Sequence, residues 1–377
     1  MCYNPLSALD MIKDKSIVIL ASIILITIFG TYFFSYISFI TLQNEIPHSI
    51  LDIWYRWDAS PYIKIAKYWY TTSTVEDRNL TIVFFPLYPI VIKLFSVLFQ
   101  DYLLSALVVS NIGYAFSVYF LYRLVLLDYP NEIAIKATVY LSIFPSAYFL
   151  HAAYTESLFL ALTMSSFYYA RREKWLVSSI LAMFASVTRI TGIFLIPSLI
   201  IEYLYQKNFK IKQIKWNIFW ITLILLGPLS YLLINYMTFD DAFKFLEFQR
   251  HTWQKSLSSP HLGYLTARGI IASNDPSYKV LTGWAELIFI FIGLLSSIWV
   301  LIRLRLSYGI YMFITWIALA STSFWLSTPR YTLSMFPLFI ALSIFGKNSG
   351  INYLITFISL LFYALFLSIY VQGRWAF

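Results

Sequence analysis

Charge is what this chain has least of: Lys, Arg, Asp and Glu make up 12% of its 377 residues, against about 25% in soluble domains. So few charges cannot cover a chain that is 60% hydrophobic. A water-soluble globule is excluded, and the solvent is lipid. Cysteine is nearly missing as well. The single residue, Cys2, excludes an intramolecular disulfide and a metal site built on thiolates. The four histidines, His48, His151, His251 and His261, show neither HxxxH nor HExxH spacing, so no metal is expected. No soluble domain, regular repeat or low-complexity tract interrupts the apolar runs, and residues 1–377 read as one integral membrane domain. No small-residue cleavage site ends the run Ile17 to Ile40, which reads as a retained first span. The net charge of +9 fits Lys- and Arg-rich cytoplasmic loops, so no nucleic-acid partner is expected.

What the chain has is apolar segments and aromatics, the latter 20% of residues. Trp and Tyr anchor at headgroup level, and their rings also serve as sugar platforms. Lys13 and Lys15 put the N-terminus inside. A charged first outer loop follows, Thr41 to about Thr81, with Glu45, Asp52, Arg56, Asp58, Lys64, Lys67, Glu76, Asp77 and Arg78. Phe84 to Phe99, with Pro86, Pro89 and Lys93, reads as an interfacial or partly inserted helix. Tyr102 to Tyr122 then crosses inward, Ile133 to Leu150 outward and Ser157 to Ala170 back. Trp175 to Tyr205 has cations at both ends and reads as a hairpin with its tip at Thr188 to Gly192, a single tilted helix being the alternative. Trp216 to Met237 exits, Thr238 to Lys279 forms a second outer loop, and Leu281 to Ile302 enters. Tyr308 to Leu326 exits to an outer turn at Ser327 to Arg330. Tyr331 to Phe345 enters and Ile351 to Val371 exits. The expectation is an all-α polytopic protein of ten to eleven membrane segments, and every short Lys/Arg cluster after the first span falls inside.

The outer ends of these segments hold scattered charges, and an ionisable residue at membrane depth points to function. Asp58, within Trp54-Tyr55-Arg56-Trp57-Asp58, can be a general base with indoles packing on sugar faces, or the cap of a helix starting at Ser60-Pro61. His151, Tyr154 and Glu156 read as acceptor-site walls, or as the start of a helix capped by Thr155 or Ser157. Arg189 and Arg330 are isolated cations at tight outer turns. Their planar forks suit a phosphate, though a lone arginine can also snorkel to headgroups. Gln249 and Arg250 complete the outer set, Arg250 as a further phosphate candidate.

At these segments the chain resembles the GPI mannosyltransferase 2 (PIG-V-like) group of GT-C glycosyltransferases. The matching blocks are Arg56-Trp57-Asp58-Ala59 with Tyr62, Ile65 and Ala66; Phe84-Phe85-Pro86-Leu87-Tyr88-Pro89; Pro145-Ser146-Ala147 with Tyr154-Thr155-Glu156-Ser157-Leu158-Phe159; Thr188-Arg189 with Gly192; and Pro329-Arg330-Tyr331 leading to Phe336-Pro337-Leu338. The resemblance implies a GT-C fold with its active site on the outer or lumenal face, in a prokaryotic cell membrane or the endoplasmic reticulum. It implies a polyprenyl or dolichyl phosphate mannose donor, inverting transfer to a glycan or glycolipid acceptor, no cofactor, and Asp58 as the base. On this reading Arg189, Arg330 and Arg250 meet the donor phosphate, and Trp54, Arg56, Trp57, His151, Tyr154, Glu156, Gln249 and Tyr331 line the substrates. The alternative is a lipid or polysaccharide transporter without transferase chemistry. Transporters often show paired halves, and this sequence shows none.

Overall fold

The computed structural model describes residues 5–72, 81–252 and 254–377. Cys2, Glu76, Asp77 and Arg78 lie outside the described residues, as does the side chain of Lys13. Helix α1 (Pro5–Gln43) contains the first span, and its Leu25, Ile26 and Phe29 are 67%, 71% and 71% exposed. Such a stripe of bare apolar side chains is stable only against lipid. A 3₁₀ turn (Ile50–Trp54) and α2 (Ala59–Tyr68) carry the first outer loop. Helix α3 (Leu87–Phe99) has 13 residues, about 20 Å at 1.5 Å per residue. That is too short for a hydrocarbon core of about 30 Å.

Helix α4 (Tyr102–Val125) opens on an Asp101 cap, whose carboxylate accepts from the Leu104 N–H at 2.7 Å. Helix α5 (Asn131–Ile143) is shorter than the segment expected there: Phe144 is extended (ψ 144°), as a residue before proline prefers, and a 3₁₀ turn (Ala147–Leu150) follows. Helices α6 (Glu156–Arg171), α7 (Trp175–Thr188) and α8 (Leu195–Gln206) come next, with a 3₁₀ turn (Ile190–Phe194) between the last two. The hairpin reading of this stretch holds over the tilted helix. Lys207 pairs with Glu173 at 3.0 Å and the Trp175 and Tyr203 rings lie 4.8 Å apart, so both ends return to one side. Gly192 lets the tip fold back, since a Cβ there would sit 2.5 Å from the Ser186 backbone.

Helix α9 (Leu226–Phe239) continues a 3₁₀ stretch, Trp216–Leu225. The second outer loop is largely helical, with α10 (Lys244–Thr252), α11 (Pro260–Ile271) and α12 (Pro276–Tyr278). A π turn (Lys279–Trp284) leads into α13 (Ala285–Arg303), followed by α14 (Leu306–Ala320). The next region departs from expectation. Arg330 lies inside α15 (Thr328–Leu333), not in a turn, and Pro337 starts a separate α16 (Pro337–Phe345), so Tyr331 to Phe345 is no single span. Helix α17 (Ser349–Val371) is the last.

Five stretches are long and apolar enough to cross a membrane: Lys15–Gln43, Tyr102–Val125, Trp216–Phe239, Pro276–Arg303 and Ser349–Val371. Shorter apolar helices, Leu87–Phe99, Trp175–Thr188, Ile190–Gln206 and Leu306–Ala320, pack among them. The chain is an all-helical, multi-pass membrane protein; among the described residues the only β pairing is the single bridge Leu257–Thr322.

Ion pairs gather at the two ends of α6. At its C-terminal end Arg171 donates two bonds to Asp128, both 2.7 Å, and one to the Tyr308 hydroxyl at 2.9 Å. The adjacent Glu202, fully buried, accepts from Arg305 twice at 2.7 Å, from Ser307 at 2.7 Å and from Gln206 at 2.6 Å. This cluster clamps the α4–α5, α6–α7 and α13–α14 turns to α8. The other cluster sits one helix length away, about 24 Å, at Glu156.

Candidate active site

Four side chains from four separated segments meet at the N-terminal end of α6. Arg330 Nη1 donates to Asp58 Oδ2 at 2.7 Å, across 272 residues of sequence. Its Nε lies 3.4 Å from Glu156 Oε1, and Arg189 Nη1 donates to the same oxygen at 2.5 Å. Arg189 also donates to the Thr155 hydroxyl at 3.0 Å. Glu156 is 1% exposed and the two arginines 12% and 10%, whereas Asp58 keeps 25% of its side chain open. A carboxylate at the water edge is thus backed by a buried cation–anion–cation chain.

Each member is held by its surroundings. Asp58 starts α2 with helical dihedrals (φ −65°, ψ −13°), and its side chain makes no capping bond, so the capping reading of Asp58 falls. The preceding Trp57 has φ +47°, in the left-handed region, which costs a side-chain-bearing residue roughly 1–2 kcal/mol. The buried Tyr154 hydroxyl stabilises that turn: it donates to the Arg56 carbonyl at 3.2 Å and accepts the Asp58 N–H at 3.3 Å. Arg56 in turn donates to the Val371 carbonyl at the end of α17, at 3.1 Å. Glu156 lies in the first turn of α6; neither Thr155 nor its neighbours cap that helix, and Thr155 serves Arg189 instead. Arg189 is the extended residue where α7 breaks.

Arg330 depends on α15, and α15 depends on a residue the sequence reading passed over. Glu286, fully buried in α13, accepts the Ser327 and Thr328 N–H groups, both at 2.7 Å, while its own carbonyl accepts the Thr328 hydroxyl at 2.9 Å. Ser146 adds a bond to the Pro329 carbonyl at 2.7 Å. The available signal was a lone carboxylate in the apolar run Leu281 to Ile302.

The arginines face aromatic rings. Arg330 lies 5.4 Å from the Phe149 centroid, 5.3 Å from Tyr154 and 5.5 Å from Tyr331; Arg189 lies 5.1 Å from Tyr331. Neither arginine snorkels; both are paired and stacked. Burial works against the charge of Arg330, but Asp58 and Glu156 outweigh it and hold the guanidinium above the ordinary arginine range. Tyr331, in α15 outside the five spans, shows the converse. Burial would raise its hydroxyl, yet Arg330, Lys255 and Arg189 together bring it below the usual tyrosine value.

The other candidates make no hydrogen bond or ion pair with the four charged side chains among the described residues. Trp54 is fully buried, 4.9 Å from the Tyr32 ring and 5.9 Å from Tyr370, a core indole and not a sugar platform. Trp57 does reach the surface, 46% exposed, edge-on to Trp375 at 5.3 Å. His151 is fully buried against Tyr114 and Tyr32, and its Nδ1 lies 2.9 Å from Asn111 Oδ1, so it packs the core and does not wall an open site. Gln249 and Arg250 are on α10. Arg250 is exposed, and Gln249 contributes its backbone carbonyl, which accepts the Lys255 N–H at 3.3 Å.

No family model and no curated protein matches the chain. Among solved structures it is similar to an oligosaccharyltransferase from Archaeoglobus fulgidus in its apo form, at 12% identity and a TM-score of 0.47. The match covers 94% of this chain and 56% of that one, so the chain spans little more than half the length of that relative.

Proposed function

We propose that this protein is an inverting GT-C glycosyltransferase, moving a hexose, mannose on the sequence resemblance, from a polyprenyl or dolichyl phosphate to a glycan or glycolipid acceptor on the non-cytoplasmic face. The observation that carries the reading is the meeting of Asp58 with Arg330, Glu156 and Arg189 at one end of the bundle. A part-exposed carboxylate can take a proton from an acceptor hydroxyl, and buried guanidinium groups beside it can meet the charge of a departing phosphate.

The reaction runs as one displacement. The acceptor oxygen attacks the anomeric carbon while the bond from that carbon to the phosphate oxygen breaks. The bonding pair leaves on the phosphate oxygen, and the hydroxyl proton passes to Asp58. The product has the opposite anomeric configuration. Arg330 has a second duty in this scheme. Its Nη1 bonds Asp58 Oδ2, while its Nε has no hydrogen-bond partner among the described residues. A phosphate that draws the guanidinium into its own bidentate bonds leaves Asp58 Oδ2 open to the acceptor hydroxyl. Donor binding thereby prepares the base.

Asp58→Asn tests this. Asn keeps the shape and an acceptor for Arg330 but removes the basicity. Transfer from a defined polyprenyl-phosphate hexose should fall by about 10²-fold or more, with donor binding retained or tightened because Asn competes less for Arg330. Near-normal transfer by a folded variant would refute the base. Wild-type protein that binds and moves lipid-linked sugar without forming a glycosidic bond would support the transporter reading instead.

A further inference from the structure

The arginines of the cluster are already matched. Among the described residues the ion pairs around Tyr331 are Arg189–Glu156, Arg330–Glu156 and Arg330–Asp58. Lys255 is in none of them, although its Nζ lies 5.7 Å from the Tyr331 centroid, beside Arg189 at 5.1 Å and Arg330 at 5.5 Å. The nearby Glu286 feels the charge of Lys255 but makes no ion pair with it among the described residues; its two oxygens accept the Ser327 and Thr328 N–H groups. Three cations therefore converge on one ring, and among the described residues Lys255 is the one of the three that makes no ion pair.

Lys255 is also held in place. Its N–H bonds the Gln249 carbonyl, and the following residues pair with the segment after α14: Ser323 N–H to Ser256 C=O at 2.9 Å, Ser258 N–H to Ser321 C=O at 3.1 Å, and Ser256 N–H to Ser323 Oγ at 3.1 Å. The Phe324 ring lies 5.8 Å from its Nζ on another side. A loop lysine fixed by paired backbone segments, set over a tyrosine and in no ion pair among the described residues, is arranged for an anion that is not part of the chain.

We propose that Lys255 and Tyr331, with Arg189 and Arg330, form an anion subsite for the phosphate of a polyprenyl-phosphate lipid, and that Lys255 supplies the net attraction while the arginines supply geometry. The division follows from which of the cations already make ion pairs. Arg189 and Arg330 trade a carboxylate for a phosphate, whereas Lys255 gains a partner outright. The field of the three cations that brings the Tyr331 hydroxyl below its usual value would also act on a phosphate oxygen.

This inference rests on the lipid-phosphate donor reading, and the test separates the two. Binding of a short-chain polyprenyl phosphate, with no sugar attached, is measured on the full-length protein in detergent for wild type, Lys255→Gln and Lys255→Arg, with the uncharged polyprenol as comparison. Lys255 is partly exposed, and thermal unfolding verifies that each variant is folded. Wild type should prefer the phosphate. Lys255→Gln should weaken phosphate binding about tenfold or more, the loss expected for one charge-assisted bond, without changing polyprenol binding, and Lys255→Arg should restore most of it. Raising salt should weaken wild type more than Lys255→Gln. If wild type prefers the phosphate and Lys255→Gln binds it equally well, the role of Lys255 is refuted and the donor reading stands. If wild type does not distinguish phosphate from polyprenol, the donor reading falls and this subsite with it.

Discussion

Glu156→Gln separates holding the site together from doing its chemistry. Glu156 is 1% exposed, and its Oε1 faces Arg189 at 2.5 Å and Arg330 at 3.4 Å. Removing one member of a buried ionic group leaves uncompensated charge and costs about 3–5 kcal/mol. Here two guanidinium groups would confront each other with only Asp58 to balance them. Glutamine still offers a carbonyl to Arg189, which brings the expected cost to the lower end, about 3 kcal/mol. At roughly 2–4 °C per kcal/mol for a larger chain, the melting midpoint in detergent should drop by roughly 6–12 °C. The double variant Glu156→Gln/Arg189→Gln should recover part of that loss, because it removes the stranded cation with its partner, and the four proteins form a cycle whose coupling should exceed about 1 kcal/mol. A single variant that melts with wild type, or a double variant that melts at the sum of two independent losses, would show that the chain of charges is not a coupled unit.

Other outcomes follow from the same geometry. Arg330→Lys should lose most turnover while donor binding persists, because a lysine keeps the charge and not the bidentate fork; wild-type turnover would remove Arg330 from the leaving group. Glu286→Gln should lower turnover through Arg330, since its carboxylate fixes the start of α15, and Glu286→Asp should recover less than half; an unaltered rate with Glu286→Ala would mean α15 is held without it. Gly227→Ala should cost about 1–3 kcal/mol, because the added Cβ would lie 1.9 Å from Ser186 Oγ, and Ser186→Gly should relieve it, both read by thermal unfolding. Single cysteines at positions 58 and 250, in a background lacking Cys2, should react with an impermeant thiol reagent from outside and one at 172 should not; the reverse pattern would invert the topology.

The membrane character and the hairpin were legible in the sequence because they depend on composition and on end charges, which need no tertiary knowledge. So was the choice of Asp58, Glu156, Arg189 and Arg330 as residues out of place among apolar segments. Their pairing was not legible, since the bond from Arg330 to Asp58 joins residues 272 apart. Trp54 and His151 show a different limit. Both stand at segment ends, where hydropathy cannot say which way an irregular backbone turns a side chain, and both turn into the core. Arg330 was expected in a turn because it falls between two apolar runs, yet proline at a first helical turn is compatible with helix, and α15 forms around it. Lys255 carried no signal, as one cation among several in a polar loop, until the loop was seen closed against residues 321–323.

The two ionic clusters at the ends of α6 use the same residue types for different ends. At Glu202 both carboxylate oxygens are taken by Arg305 and Ser307, and both terminal nitrogens of Arg171 are taken by Asp128. At Glu156, Oε2 has no partner among the described residues, and neither has Arg330 Nε. Burying a charged group with its hydrogen bonds unmade is costly; the first cluster leaves the neutral Gln206 Oε1 open, but a fold that only needed stability would close the charged groups of the second as it closed those of the first. Leaving donors and acceptors open beside a part-exposed carboxylate makes sense where another molecule completes them, and the completing groups must be acceptors for arginine and a donor for carboxylate. On the function proposed above, a phosphate offers the first and a sugar hydroxyl the second. Glu202→Gln should therefore destabilise the protein while leaving the turnover of the folded fraction intact. Asp58→Asn should do the opposite, and a variant set in which the two mutations had the same ratio of stability loss to rate loss would erase the distinction between the clusters.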